Sequence, residues 1–203
     1  MKLYFHYCAS GLSNCYVLGT YPPKNEAIIV DPGSMDLDLL KIIEDNNFNV
    51  LAILITHDHL DHTGGLTTIM KIYESKVYAV APEIRGLAAI RIRDGDSIAA
   101  GPFNIEVFSV PGHSADSVIF KIDRLLFTGD TLNANLIGST VSSFSKATLV
   151  SALRKKILSL PGDYTILPGH GPPSTLEAER RFNFDLNNFE QMKSRRPSFR
   201  IDL

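Results

Sequence analysis

The chain reads VLAILITHDHLDH from Val50 to His62. The apolar run 50–55 predicts a buried parallel strand. The polar residues that follow it lie at the carboxyl end of that strand, where open α/β sheets place their functional loops. This loop contains three imidazoles and two carboxylates within seven residues, a composition that indicates a metal site rather than a solvated turn.

The spacing within the loop predicts two metal positions. A tight turn can direct His57 and His59 toward one point, while Asp61 and His62 reach a second point a few ångströms away. Two-metal sites require a separation of about 3.5–4 Å between the ions. One loop therefore contains ligands for two ions.

Three other loops contain residues of the same kind. His113 and His170 each follow a strand-like apolar segment and a Pro-Gly turn, and Asp130 follows a third apolar segment and a glycine. These positions predict two further imidazole ligands and a carboxylate that bridges two cations. His6 lies instead in an alternating strand pattern, so we expect it to be a structural residue.

Together these motifs resemble the metallo-β-lactamase superfamily and, within it, the hydroxyacylglutathione hydrolases, also called glyoxalase II. The resemblance covers nearly the whole chain, with its motifs in the family's order. The segments that carry it are 14–18, 29–33, 56–65, 112–113, 129–131, 167–171 and 179–183.

The resemblance implies a ligand for every position of a two-metal site. It implies that His57, His59 and His113 hold one metal, that Asp61, His62 and His170 hold the other, and that Asp130 bridges them. Imidazole and carboxylate ligands without thiolates suit zinc, iron or manganese. We expect two divalent ions, zinc in the first place, and no other cofactor. We expect Asp61 to be the catalytic residue, orienting a hydroxide and carrying its proton.

The order of predicted elements suits a single domain over 1–203 of α/β (α+β) class. Helices on both outer faces of two sheets would form a four-layer αββα sandwich, the fold that the resemblance also implies. Helical patterns cover 35–46, a segment starting near Thr63, and 146–158. Strand patterns cover 3–8, 14–20, 26–31, 50–55, 77–80, 103–108, 117–122, 125–127 and 164–167.

Composition limits the function classes. Twenty basic residues oppose 22 acidic ones, and the basic clusters 154–156 and 195–196 do not form a nucleic-acid footprint. Apolar runs fall short of the ~20 residues of a membrane span, and the first 15 residues do not resemble a signal peptide. We therefore expect a cytoplasmic protein that binds neither nucleic acid nor membrane, with Cys8 and Cys15 as reduced packing residues.

The leading functional hypothesis is hydrolysis of a small-molecule thioester such as an S-2-hydroxyacylglutathione. Two cations sharing a water lower its pKa toward neutrality, which provides a hydroxide. The leaving thiolate needs little protonation, because a thiol pKa is near ~8.5. The alternatives are an iron-dependent persulfide dioxygenase and a lactonase of the same superfamily. The sequence leaves the oligomeric state open.

Some segments depart from the family pattern. Gly138-Ser139-Thr140 stands where shorter bacterial relatives usually have Gly-Arg-Thr-Asp, and Ser114-Ala115-Asp116 replaces the usual Thr-Pro-Gly. The chain also lacks the C-terminal helical region with which longer glyoxalase II enzymes help bind glutathione. Asn133 and Asn135 either supply replacement polar contacts or belong to a plain surface loop. Asp31 either opens a turn after its strand or contacts the metal loop.

Overall fold

The apolar runs of the sequence form the strands of two sheets. The computed structural model of the protein describes residues 1–9 and 11–194. Its strands are β1 (Lys2–Cys8), β2 (Ser13–Gly19), β3 (Glu26–Val30), β4 (Asn49–Leu54), β5 (Lys76–Ala79), β6 (Glu83–Ile84), β7 (Leu87–Ala88), β8 (Ile90–Arg91), β9 (Ser97–Ala100), β10 (Phe103–Ser109), β11 (Val118–Ile122), β12 (Leu125–Gly129), β13 (Leu132–Asn133), β14 (Leu136–Ile137), β15 (Thr165–Pro168) and β16 (Ser174–Thr175). Its helices are α1 (Leu37–Asp45), α2 (Leu60–Thr63), α3 (Leu66–Ile72), α4 (Ser143–Ala152), α5 (Leu176–Phe182) and α6 (Phe184–Ser194).

Each of the two main sheets has six strands. The first has the order β1-β2-β3-β4-β5-β8, antiparallel from β1 to β3 and parallel from β3 to β8. Parallel neighbours need a crossover, which α1 provides between β3 and β4 and α2 with α3 between β4 and β5. The second sheet has the order β16-β15-β12-β11-β10-β9 and is antiparallel except between β12 and β15.

Three apolar layers show that the architecture is a sandwich. The middle layer packs the two sheets on each other, as where the rings of Tyr16 and Phe127 meet edge to face at 5.5 Å. A second layer joins the outer face of the first sheet to α1 and α3, and a third joins the second sheet to α4, α5 and α6. The four-layer αββα prediction is confirmed.

Helix α1 shows how the sequence fixes a boundary. The predicted range was 35–46, and the helix begins after Asp36, whose Oδ1 accepts hydrogen bonds from the backbone N–H groups of Asp38 and Leu39 at 3.1 and 3.0 Å. An N-cap carboxylate satisfies donors that have no partner within the first turn. The buried residues Leu39 and Ile43 then lie one turn apart on the face toward the sheet.

The helix predicted to start near Thr63 has different bounds. It begins at Leu60, inside the metal loop, and is interrupted after Thr63. The interruption arises because the backbone N–H of Gly65 donates to the carbonyl of Pro32 at 2.8 Å. This bond joins the metal loop to the turn that follows β3.

The helix predicted over 146–158 also starts earlier, at Ser143. The hydroxyl of Ser142 caps it by accepting a hydrogen bond from the N–H of Ser145 at 3.0 Å, and its last segment, Leu153–Ile157, is π-helical. All nine predicted strands are confirmed to within two residues. The short strands β6, β7, β8, β13, β14 and β16, the strand β9 and the helices α5 and α6 were not predicted.

The structure also bears on the predictions for the two cysteines, for His6 and for membrane-spanning helices. Cys8 and Cys15 are free and fully buried, as expected of packing residues. His6 is buried on β1, where its Nε2 lies 3.0 Å from Oδ2 of Asp36, so it is structural as predicted. Among the described helices, none combines enough length with enough apolar character to cross a membrane. The single domain over 1–203 stays a prediction, since residues 195–203, including the basic pair 195–196, lie outside the described residues.

Replacing Asp36 with Ala tests the α1 cap. We expect the substitution to lower the free energy of unfolding by about 1 kcal/mol, because the first turn loses its acceptor. Asp36→Asn should cost much less, since asparagine caps helices about as well as aspartate. Urea denaturation of the two variants and the wild type measures the difference. Equal losses for both substitutions would contradict the capping role.

Candidate metal centre

Four loops meet at one edge of the sandwich, and they contain all seven of the predicted site residues. The loops follow β4 in the first sheet and β10, β12 and β15 in the second sheet. These residues form three overlapping groups, and within each group the potential ligand atoms all lie within 4.8 Å of one another. The groups are His57, His59 and His113; His57, His62 and Asp130; and Asp61, His62 and His170.

The first triad consists of three imidazoles that face one point. Nε2 of His57 lies 3.0 Å from Nδ1 of His59, and Nε2 of His113 lies 3.2 Å from the same atom. Nitrogens bound tetrahedrally to one zinc at about 2.0–2.1 Å are separated by about 3.3 Å. The triad therefore has close to the spacing that one ion requires.

Hydrogen bonds fix which ring nitrogen of each histidine faces the centre. Thr56 Oγ1 donates to Asp31 Oδ2 at 2.6 Å, so it accepts from Nδ1 of His57 at 3.1 Å. Nδ1 of His113 donates to the carbonyl of Ser139 at 2.9 Å. Both assignments leave Nε2 unprotonated and directed inward, which is the state that a metal ligand needs.

Asp31 supports both halves of the site. Its carboxylate is buried and accepts from the N–H of Thr56 at 2.8 Å, from the hydroxyl of Thr56, and from Nδ1 of His62 at 3.0 Å. The residue ends β3 with a left-handed backbone, φ 51°. Of the two alternatives left open by the sequence, the structure therefore shows the contact to the metal loop.

The second group is built around His62. Because Nδ1 of His62 is bonded to Asp31, its Nε2 faces the centre, fully buried and without a hydrogen-bond partner. The nearest carboxylate oxygens are Oδ1 of Asp130 at 3.6 Å and Oδ2 of Asp61 at 3.8 Å. Oδ2 of Asp61 is also 3.3 Å from Nε2 of His170.

Asp130 lies between the two groups. Its Oδ1 is 2.8 Å from Nδ1 of His170 and 3.6 Å from Nε2 of His62, while its Oδ2 is 3.7 Å from Nε2 of His113. The carboxylate thus presents one oxygen to each group. This is the position that the sequence predicts for a bridging ligand.

The pKa shifts show a site dominated by its carboxylates. Burial, followed by the charge of His62, lowers the pKa of His57 to about 4. Burial alone would also lower the pKa of His62, but the nearby carboxylates of Asp130 and Asp31 outweigh burial and raise that pKa to about 10. At Asp130, the hydrogen bond from His170 and the proximity of His62 outweigh burial and hold the pKa of the carboxyl below its usual range. The hydrogen bond to Asp130 raises the pKa of His170.

These residues fit divalent ions. A buried imidazole nitrogen without a partner carries a desolvation cost that a metal ion would remove. Nitrogen and carboxylate donors without thiolates are the ligand types that zinc, iron and manganese accept. On these grounds, His57, His59 and His113 would hold one ion and Asp61, His62 and His170 the other, with Asp130 shared.

The first residues of β2 support the loop that contains His170. Nδ2 of Asn14 donates to the carbonyls of Pro168 at 2.9 Å and Gly171 at 2.8 Å, and the hydroxyl of Tyr16 donates to Pro168 at 2.7 Å. The motif 14–18 was part of the family resemblance, but its function as a support for this loop is visible only in the structure.

Two further residues, Arg85 and Asp116, contact the metal loop, and the sequence did not predict these contacts. Arg85 has its Nε 2.8 Å from Oγ1 of Thr63 and its Nη2 3.1 Å from Oδ1 of Asp58. Asp116, which lies in a segment that departs from the family pattern, accepts from the N–H of Asp58 at 2.9 Å. Asp116 therefore connects the metal loop to the loop that contains His113.

Asn133 and Asn135 lie on the hairpin β13–β14 rather than on an irregular loop. Asn133 Oδ1 is buried without a hydrogen-bond partner among the described residues. The backbone of Asn135 is tied to Glu179 and Phe184. The hairpin directly follows Asp130.

The family model of the metallo-beta-lactamase superfamily matches residues 10–91 and 81–170. The chain belongs to this superfamily. The match contains every one of the seven site residues and both structural motifs that precede the metal loop. The superfamily is one of metallo-hydrolases, and the arrangement of the His and Asp side chains agrees with metal binding.

Proteins similar to this chain include an uncharacterized protein and hydroxyacylglutathione hydrolases. An uncharacterized protein of Mycobacterium tuberculosis is 34% identical over 84% of this chain and 91% of its own length. The hydroxyacylglutathione hydrolase GloC of Haemophilus influenzae is 28% identical over 86% of this chain and 93% of its own length. A hydroxyacylglutathione hydrolase of Buchnera aphidicola is 33% identical, but the match spans only 65% of that enzyme.

Solved structures of the superfamily have the same fold. The BLEG-1 B3 metallo-beta-lactamase matches with a TM-score of 0.81 and 28% identity, over 91% of this chain and 99% of its own. TTHA1623, solved in a di-iron-bound form, matches with a TM-score of 0.73 and 26% identity, over 89% of this chain and 98% of its own.

Zinc should stabilise this superfamily member. We expect Zn²⁺ at about 100 times its dissociation constant to raise the thermal unfolding midpoint by about 5–10 °C, because the ion binds only the folded site. Differential scanning calorimetry with zinc and with a chelator measures the shift. A His62→Ala protein should show a clearly smaller shift. An identical shift in wild type and variant would exclude His62 as a ligand.

Asp31→Asn tests the support of His62. The amide cannot accept from both Thr56 and His62 as the carboxylate does, so we expect zinc affinity to fall about 10–100-fold. Competition with a chromophoric chelator measures the affinity. Asp38→Asn, an exposed change on α1, is the matched control and should bind zinc as the wild type does. Unchanged affinity in Asp31→Asn would show that the contact is dispensable.

Proposed function

We propose that the protein is a binuclear metal-dependent thioester hydrolase of glyoxalase II type. The observation that carries the proposal is the complete pair of ligand groups, with Asp130 between them and Asp61 on the more open side. The side chain of Asp61 is 30% exposed, against 12% for Asp130 and none for His62. His170 is 31% exposed and His59 is exposed as well, so a substrate carbonyl would reach the centre on the side lined by Asp61, His170 and His59.

The chain's own residues would divide the work of the reaction. Two divalent ions bound at the centre would supply a hydroxide at neutral pH and polarise the substrate carbonyl. Asp61, with its oxygen 3.3 Å from His170, is placed to orient the attacking water and to take up its proton. The buried imidazoles keep their ring orientation through Thr56, Asp31 and Ser139 during these steps.

The thioester class follows from leaving-group chemistry and from the similar proteins. A thiolate leaves with little protonation, because a thiol pKa is near ~8.5, whereas an amine requires a general acid. The GloC hydrolase of H. influenzae matches over 93% of its own length. A protein of matching extent is thus named a hydroxyacylglutathione hydrolase, which supports this assignment.

The surroundings of the centre bear on which thioester is hydrolysed. Leu60 is exposed between His59 and Asp61, and Leu12 is exposed beside Gly11, whose carbonyl lies 3.2 Å from Nε2 of His170. Exposed apolar side chains at the mouth of a site favour substrates with an apolar part. A test panel should therefore include thioesters with apolar acyl groups as well as S-lactoylglutathione.

The deciding test is hydrolysis of S-lactoylglutathione and of apolar acyl thioesters by zinc-loaded and iron-loaded protein. We expect turnover of at least one thioester, with Asp61→Ala lowering kcat by about 100-fold or more, as loss of a positioned proton acceptor does. Asp45→Ala, an exposed carboxylate at the end of α1, is the control and should retain full activity.

The other outcomes separate the alternatives. Metal-loaded protein that hydrolyses none of the thioesters would refute the proposal. Oxygen uptake by iron-loaded protein with glutathione persulfide would instead identify a persulfide dioxygenase, and ring opening of an acyl lactone would identify a lactonase. A cytoplasmic location and a small-molecule partner are part of the proposal, and fractionation of the source cells tests the location.

A further inference from the structure

Glu179 is a buried carboxylate outside the metal centre. It lies on α5 with no exposed surface, and its hydrogen-bond donors are all neutral groups. The N–H of Asn135 lies 3.1 and 3.2 Å from its two oxygens, the hydroxyl of Ser174 lies 2.5 Å from Oε1, and Nδ2 of Asn183 lies 2.7 Å from Oε2. A charge kept in the interior without a cation is costly unless its bonds are well made.

One side of this network reaches the segment that follows Asp130. Asn135 forms the turn of the hairpin β13–β14, which starts two residues after Asp130. The hairpin returns at Gly138, where a Cβ atom would lie 1.6 Å from the carbonyl oxygen of Asp130. The position of the hairpin therefore constrains the backbone of Asp130 directly.

The other side reaches the segment that follows His170. Ser174 begins β16, which pairs with β15, and the His170 loop connects these two strands. Glu179 thus holds the chain on the far side of that loop, while Asn14 holds its near side. Asp130 and His170 are themselves bonded at 2.8 Å, so the two segments anchored by Glu179 carry ligands that touch each other.

Asn183 extends the network to the last helix. Its side-chain oxygen accepts from the N–H of Leu186 at 3.0 Å, which caps α6, and the N–H of Phe184 donates to the carbonyl of Asn135 at 2.8 Å. The motif 179–183 is one of the segments that resemble the family, and the sequence alone indicates no function for it. Its buried members connect the C-terminal helices to the hairpin and to β16.

We propose that Glu179 is a positioning residue for the metal centre. Its bonds hold the segment after His170 and the hairpin after Asp130, and that hairpin leads into Ser139, whose carbonyl accepts from Nδ1 of His113. Among the described residues, its hydrogen-bond partners include none of the predicted metal ligands. Its removal should therefore weaken metal binding by loosening Asp130, His170 and His113 without removing a ligand.

The test is stepwise zinc binding by the full chain, measured by competition with chromophoric chelators. The wild type should take up two ions. In Glu179→Gln at least one of the two steps should lose about 10–100-fold in zinc affinity, the cost usual for loss of a residue that orients a metal ligand. Glu177→Gln, an exposed change on the same helix, should leave both steps unchanged.

A second variant keeps the result interpretable if Glu179→Gln folds poorly. Ser174→Ala removes only the bond toward the His170 side and should weaken zinc binding by a smaller factor than Glu179→Gln does. Unchanged zinc affinity in Glu179→Gln and Ser174→Ala, or an equal loss in Glu177→Gln, would overturn the proposal. Because zinc affinity is the readout, this test is independent of whether the protein hydrolyses a thioester.

Discussion

The rest of the centre depends on the hydrogen bonds that the carboxylate of Asp31 accepts. The carboxylate is buried directly after β3 and accepts from Thr56, which follows β4, and from His62 on α2. These bonds set the tautomers of both His62 and, through Thr56, His57. Through these bonds, Asp31 orients His57 and His62 so that the unprotonated Nε2 of each ring faces the centre.

The sandwich determines which loops can join that site. Because Tyr16 and Asn14 on β2 bond to the carbonyl of Pro168 on β15, the first sheet holds the end of the second sheet in place. The turn after β3 is held just as closely, since a Cβ on Gly33 would lie 1.8 Å from the carbonyl oxygen of Asp61. Ligands from both sheets therefore converge at one edge of the sandwich.

The sequence was sufficient to predict the fold and to predict which His and Asp residues come together, but it did not reveal the residues that support them. The His57–His62 loop could be recognised because its ligands are adjacent and follow an apolar strand, and the strands because their apolar patterns are strong. Asp116 and Arg85 gave no such signal, since each acts on a residue at least 22 positions away. Glu179 could be assigned to a motif, but its burial depends on contacts with Asn135 and Ser174 that no local pattern encodes.

The error at Thr63 has the same origin. A helical pattern does not reveal that the N–H of Gly65 will bond to Pro32, and this long-range bond interrupts the helix. Local propensity thus gave way to tertiary contacts at the position where the chain builds the centre. The carboxylates of Asp31 and Asp130 on either side of His62 then make the buried space strongly attractive to cations. Because such an electrostatic preference does not distinguish one divalent ion from another, the choice of ion depends on ligand geometry and on metal supply.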